Sequence, residues 1–211
     1  MNRNTPLIPL ADYQRAFRVI YSVLESVQAR TNKACIFFSV AGATLLRKFY
    51  KKQAFPVAGS AFYQINSVPR NVISLSQLDD GVPHSSIDSF HCWIYCEGYA
   101  VDFMAPIFGE ALASADGSFE CPRRMFQKDL SQMPMSFDDF RSAGSFYLQS
   151  NMELTQQIIT SFPIASVDLV NFCLDWYTKP PKSIATSKLL GDSDGNVTNI
   201  ALSRLEVVGA W

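Results

Sequence analysis

The sequence predicts an α+β protein in which a buried central helix packs on a mainly antiparallel sheet. Two helical segments come first, and a block of consecutive strand-like segments with short connections follows before helical periodicity returns. Size adds a third observation. At 211 residues, 48% of them hydrophobic, the chain reads as one domain over residues 1–211, long enough to bury about 70% of the surface its unfolded form exposes.

From Ala11 to Gln28, Tyr13, Phe17, Ile20, Tyr21, Leu24 and Val27 recur at helical spacing, which marks an amphipathic surface helix. "RTN" interrupts the pattern. The next run, "KACIFFSVAGATLLRKFYKK", is apolar on nearly every side until Lys48, Lys51 and Lys52, whose charges complement the negative end of a helix. It is the helix expected to be buried, and its small residues Ser39, Ala41, Gly42 and Ala43 let other backbone approach. "AFPVAGSAFYQIN", "NVISLS", "SFHCWIYCE" and "YAVDFMA" are rich in β-branched and aromatic residues, with turn signals at "SVPRN" and "DDGVPHSS". Short connections between them imply antiparallel pairing. Residues 107–135 carry Gly, Pro and Ser throughout and read as a long loop or flap. Helices are expected again at "GSFYLQSNMELTQQIITSF" and "SVDLVNFCLDWYT", the second stopped by "KPPKS". "GDSDGN" is a turn, and "VTNIALSRLEVVGAW" fits either helix or strand.

A formal net charge of -1 with scattered Lys and Arg excludes the footprint of a nucleic-acid binder. Residues 1–10 lack the apolar core of a secretory signal, and no later run approaches the roughly 18 apolar residues of a membrane span. The expected location is cytoplasmic, with no membrane partner. Five cysteines, an odd number without framework spacing, imply free thiols in a reducing compartment.

The stretch "SFHCWIYCEGYAVDFMAP" carries the candidate chemistry. If Glu97-Gly98 is a two-residue turn, Cys96 faces Tyr99 and Trp93 lies opposite Asp102. Alternation then puts His91 on the face of Trp93, with Asp102 as its diagonal neighbour, close enough for a carboxylate to hold the imidazole in one tautomer. A three-residue turn would separate them. Upstream, Thr31 or Asn32 can cap the second helix, which places Cys35 in its first turn, where the helix dipole favours a thiolate.

A cysteine opening a buried helix, followed by strands with "H-x-W" and then "D-x-x-x-P", resembles the transglutaminase-like branch of the papain-fold cysteine hydrolases and acyltransferases. The matching residues are Cys35, His91, Trp93 and Asp102, and the likeness spans roughly residues 10–110. The chain also looks like a small uncharacterised bacterial family of similar length grouped with the cysteine proteinases by fold. The resemblance implies a papain-like or transglutaminase-like fold. It implies Cys35 as nucleophile, His91 as general base and then acid, and Asp102 as orienting group. The expected substrate is a small-molecule or peptide amide or ester, attacked without cofactor. The oxyanion would be held by the Cys35 N–H and a second donor; Ala29 stands where papain-type enzymes carry a glutamine, so Gln28 and Asn32 are the side-chain candidates.

Other readings differ in kind. Trp93 either packs beside the histidine or stacks on substrate. A zinc site from "H-C-x-x-x-C" would need ligands on both faces of one sheet, because Cys92 and Cys96 point away from His91. "GDSDGNVT" lacks a calcium loop's final carboxylate, Ser203 standing there; His84 reads as a solvated loop residue, and no phosphate-binding Gly-rich loop occurs. The rival to an enzyme is an inert binding or scaffold protein of the same fold. A redox protein using Cys35 is a third reading, for which the sequence shows no nearby resolving cysteine.

Overall fold

The computed structural model describes residues 6–27, 34–112 and 120–211, with residues 111–112 as backbone only. The buried helix is α2 (Cys35–Tyr50), nine of whose residues are buried. Helix α1 (Leu10–Ser26) and helix α5 (Ile164–Trp176) pack on α2 and on each other, and the sheet packs on it as well, chiefly through strands β1 (Ala54–Asn66) and β5 (His91–Cys96). Phe17 of α1 stacks on Phe38 of α2 with ring centroids 6.3 Å apart. At Gly42 α2 meets the sheet side closely. A Cβ there would lie 2.3 Å from the Phe103 ring and 2.8 Å from Ile94 Cδ1.

Strand β1 is the spine of the sheet. Its first half, Ala54 to Gly59, pairs with β5, while Gly59 to Tyr63 pair with β8 (Phe146–Ser150) and Ala61 to Asn66 with β2 (Asn71–Leu75). Beyond β5 lie β6 (Tyr99–Asp102) and β7 (Phe126–Asp129), and every one of these ladders is antiparallel. Although β7 and β8 hang on different neighbours, the Phe126 and Phe146 rings meet at 5.3 Å, and Tyr63 of β1 meets Phe126 at 4.9 Å. The sheet is therefore curled around an aromatic interior.

The small hairpin of β3 (Gln77–Asp79) and β4 (Val82–His84) occupies the predicted turn region "DDGVPHSS", and His84 is exposed there. Near the C-terminus β9 (Ser187–Gly191) and β10 (Val197–Ala201) flank "GDSDGN". The Asp192 carboxylate closes that turn by accepting from the Asp194 and Asn196 backbone N–H groups at 3.0 and 2.8 Å.

Two expectations about element type change. "GSFYLQSNMELTQQIITSF" is not one helix: it divides into β8 and α4 (Met152–Thr160). Phe146 and Leu148 are buried alternately, a period-2 pattern, and Asn151 then caps α4 by accepting from the Leu154 N–H at 3.0 Å. The segment 107–135 is not all irregular, since α3 (Phe108–Leu112) opens it and β7 lies within it. Strand β7 sits at the end of the β2-β1-β5-β6-β7 path, and its "KD" pair is of the kind edge strands tolerate. The ambiguous C-terminal run becomes β10 followed by an extended strap, whose Trp211 N–H donates to Met125 O at 3.1 Å. Among the described residues no single helix is long and apolar enough to cross a membrane.

Gly42→Ala sets two effects against each other. Alanine favours a helix by about 1 kcal/mol over glycine, but overpacking against Phe103 costs about 1–3 kcal/mol. We expect a net loss of stability in urea unfolding; a midpoint raised by the substitution would mean that Phe103 yields without cost.

Candidate functional site

The β5–β6 hairpin pairs Cys96 with Tyr99, Tyr95 with Ala100 and Ile94 with Val101, the register that a two-residue Glu97-Gly98 turn requires. Both turn residues have positive φ, 50° and 86°. Glutamate is an uncommon residue for that conformation. Its carboxylate is tied back to the start of β1, accepting from Lys52 Nζ at 2.9 Å and from the Gln53 N–H at 3.2 Å.

This register sets His91 and Asp102 together. His91 Nε2 lies 2.6 Å from Asp102 Oδ2, and the two side chains are 2% and 1% exposed. A buried carboxylate survives only with its acceptors filled. Asp102 Oδ2 also accepts from the Tyr63 hydroxyl at 3.1 Å, Oδ1 accepts from the Met104 N–H at 2.9 Å, and its backbone carbonyl accepts from the Tyr13 hydroxyl. Tyr63 and Phe108 present ring edges around the imidazole at 6.0 and 5.8 Å. Burial pulls His91 toward its neutral form, yet the charge and hydrogen bond of Asp102, with help from Cys35, outweigh it and raise the imidazole from 6.5 to about 10.

Cys35 is the first residue of α2, and Ala34 occupies the cap position without a side-chain cap. The helix thus starts later than a Thr31 or Asn32 cap would place it; those two residues and Gln28 lie outside the described residues. The Cys35 thiol has the Cys92 thiol and the His91 imidazole as its interacting neighbours. The Cys92 bond is the largest influence and lowers its pKa, burial opposes, and the His91 hydrogen bond and charge lower it further, leaving it well below the ordinary thiol value. Cys92 moves up in response, by its bond to Cys35 and by burial, and it also reaches Ser39 on α2. Asp102 holds Nε2, which leaves Nδ1 of His91 free to serve the sulfur. Thiol, imidazole and carboxyl group stand in series, the set of groups that attack on a carbonyl with proton return to a leaving group requires.

The sequence reading found no cysteine near Cys35, and the structure corrects that: β5 places Cys92 beside it. Trp93 is buried, and it lines an apolar groove of about 670 Å³ with Phe55, Val57, Tyr95 and Leu148. No group of three or more His, Cys, Asp or Glu side chains arranged to hold a metal occurs among the described residues. Tyr13, Tyr63 and Phe108 went unnoticed as site residues in the sequence. Tyr13 was legible only as part of the apolar stripe of α1, and no spacing ties Tyr63 or Phe108 to a histidine on another strand.

Fold and site define a mixed α+β protein whose core holds a cysteine, a histidine and an aspartate in contact. The chain belongs to the family described as "Protein of unknown function (DUF2026)", which matches residues 9–211. It is similar to a solved structure described as "The crystal structure of genomics APC5867", with 32% identity, a TM-score of 0.87 and 100% of each chain covered. A comparison with curated proteins gives no match.

Replacing Asp102 by Asn removes the charge that holds the imidazolium, so burial is left to dominate. The His91 pKa should fall from about 10, by about one to three units, as followed by the imidazole resonances in an NMR titration. An unshifted His91 would mean that Asp102 does not govern it.

Proposed function

We propose that this protein is a cofactor-independent cysteine enzyme that transfers an acyl group from an amide or ester, and that its fold is of the papain-like, transglutaminase-like kind. One observation carries the reading: the Cys35 thiol contacts His91, and His91 Nε2 lies 2.6 Å from Asp102. The fold part is supported by a central helix on a curled antiparallel sheet, with the cysteine at the helix start and the other two groups on neighbouring strands. The five unpaired thiols fit a reducing, cytoplasmic location.

In the first step the Cys35 thiolate adds to the substrate carbonyl. The oxyanion faces the first turn of α2, whose N–H groups have no intrahelical acceptor, so the Cys35 N–H supplies one donor. His91 gives its proton to the departing amine or alcohol as the tetrahedral species collapses to a thioester. Neutral His91 then takes a proton from water or an acceptor amine, which attacks the thioester and frees the thiol. Throughout, Asp102 fixes the ring orientation and balances the imidazolium charge, while the ring edges of Tyr63 and Phe108 keep water from the pair.

The depth of the site favours a second reading, an inert binding or scaffold protein of the same fold, because Cys35 is only 7% exposed. Chemistry separates the two. With a p-nitrophenyl ester the enzyme reading expects a burst of nitrophenol and an acyl group on Cys35 by mass spectrometry. Cys35→Ala and His91→Ala should each lower turnover by about 10²–10⁴-fold. The pH profile should rise through the lowered Cys35 pKa, where the thiolate forms, and fall through about 10, where His91 loses the proton it must donate. Absence of acylation, together with iodoacetamide labelling of Cys35 as slow as that of buried Cys173, would establish the inert reading.

A further inference from the structure

Acyl transfer uses Cys35, His91 and Asp102 and leaves one buried nucleophile at the site unemployed. Cys92, the second residue of β5, lies on the face of that strand that packs on α2, the face whose Ile94 meets Gly42, and its thiol neighbours that of Cys35 and the hydroxyl of Ser39 one turn along α2. Its backbone is fixed by pairing with Ala58 of β1. A void too small for water borders it, lined by Pro56, Val57, Ala58 and Thr155, which leaves the side chain room to turn.

We propose that Cys35 and Cys92 are a reversible redox couple: peroxide oxidises Cys35, and Cys92 closes a disulfide across the α2–β5 contact. In the first step the Cys35 thiolate attacks one oxygen of hydrogen peroxide. An S–O bond forms, the O–O bond breaks, and the departing hydroxide takes the proton of the adjacent His91 imidazolium to become water. The sulfur has lost two electrons and the peroxide has gained them. In the second step Cys92 attacks the sulfenic sulfur. The S–S bond forms, the S–O bond breaks, and the hydroxide leaves as a second water with the Cys92 proton. A dithiol returns two electrons and two protons to restore both thiols.

Geometry selects this pair from the five thiols. A disulfide closes at about 2.05 Å between sulfurs, and Cys92 is the thiol that adjoins Cys35 at the α2–β5 contact. Cys96 lies further along β5 with its thiol raised to about 11 by burial, and Cys121 is raised to about 11 for the same leading reason. Cys173 on α5 is buried and raised as well. Hydrogen peroxide is scarcely larger than water, so a narrow approach to Cys35 suffices. The couple stands whether or not Cys35 transfers acyl groups, because its readout is a covalent bond rather than turnover.

The test treats the reduced full-length protein with hydrogen peroxide near neutral pH, blocks remaining thiols in denaturant with N-ethylmaleimide, and maps peptides by mass spectrometry. We expect a peptide joining Cys35 to Cys92, two hydrogens lighter than the reduced pair and separated by dithiothreitol. In Cys92→Ser and Cys92→Ala, each checked for native circular dichroism, dimedone should capture sulfenic acid on Cys35 about tenfold more than in the wild type. Cys96→Ser should leave the crosslink intact. Progress of wild-type Cys35 straight to sulfinate, a crosslink from Cys35 to any other cysteine, or equal dimedone capture with and without Cys92 would overturn the proposal. If the variants fail to fold, the wild-type peptide map alone decides.

Discussion

The buried carboxylate of Asp102 is the constraint that the rest of this structure answers to. An ionised group at 1% exposure would cost several kcal/mol without partners, and four elements converge to provide them. β1 sends Tyr63 and β5 sends His91 to one carboxylate oxygen, the turn after β6 aims the Met104 N–H at the other, and the fourth element, α1, anchors the residue's backbone carbonyl through Tyr13. Removing one partner of such a pair typically costs about 3–5 kcal/mol, because the other charge is left stranded. The arrangement therefore fixes how the first helix, the curled sheet and the strand end meet, and the His91 ring has little freedom to take another orientation.

What could be read from the sequence was what rests on local rules. The Glu97-Gly98 turn dictates register, register dictates face, and so the meeting of His91 and Asp102 followed from residues eleven positions apart. The apolar run after "RTN" identified α2, and its small residues announced a close neighbour without saying that at Gly42 it would be Phe103. Long-range geometry was not legible. Tyr63 reaches Asp102 only because the sheet curls, and no periodicity encodes curl. Cys92 was recognised as lying on the face opposite His91, yet that face is the one that packs on α2, so the reasoning that excluded zinc also hid its contact with Cys35. The strand β8 was missed because its alternating Phe146 and Leu148 run directly into a helix whose start is marked by a single residue, Asn151.

The two thiols give Cys35 an electrostatic setting that neither a helix start nor a histidine alone would produce. A donated S–H bond stabilises negative charge on sulfur without adding a second cation, so the thiolate is favoured while His91 keeps its proton beside it. That economy suits an interior where each further charge would need further partners.

Strand β1 has one further consequence, for how the protein can be divided. Gly59 pairs with His91 on one edge and with Ser150 on the other, and the neighbouring Ala58 exchanges hydrogen bonds with Asn151 and Thr155 at the start of α4. The strand that seats the histidine is thus closed off by residues that arrive some fifty positions after Asp102. A fragment ending after the site residues would leave half of β1 with an open edge and uncovered aromatic rings, a template for aggregation rather than a smaller working unit. The site and the C-terminal half depend on one strand.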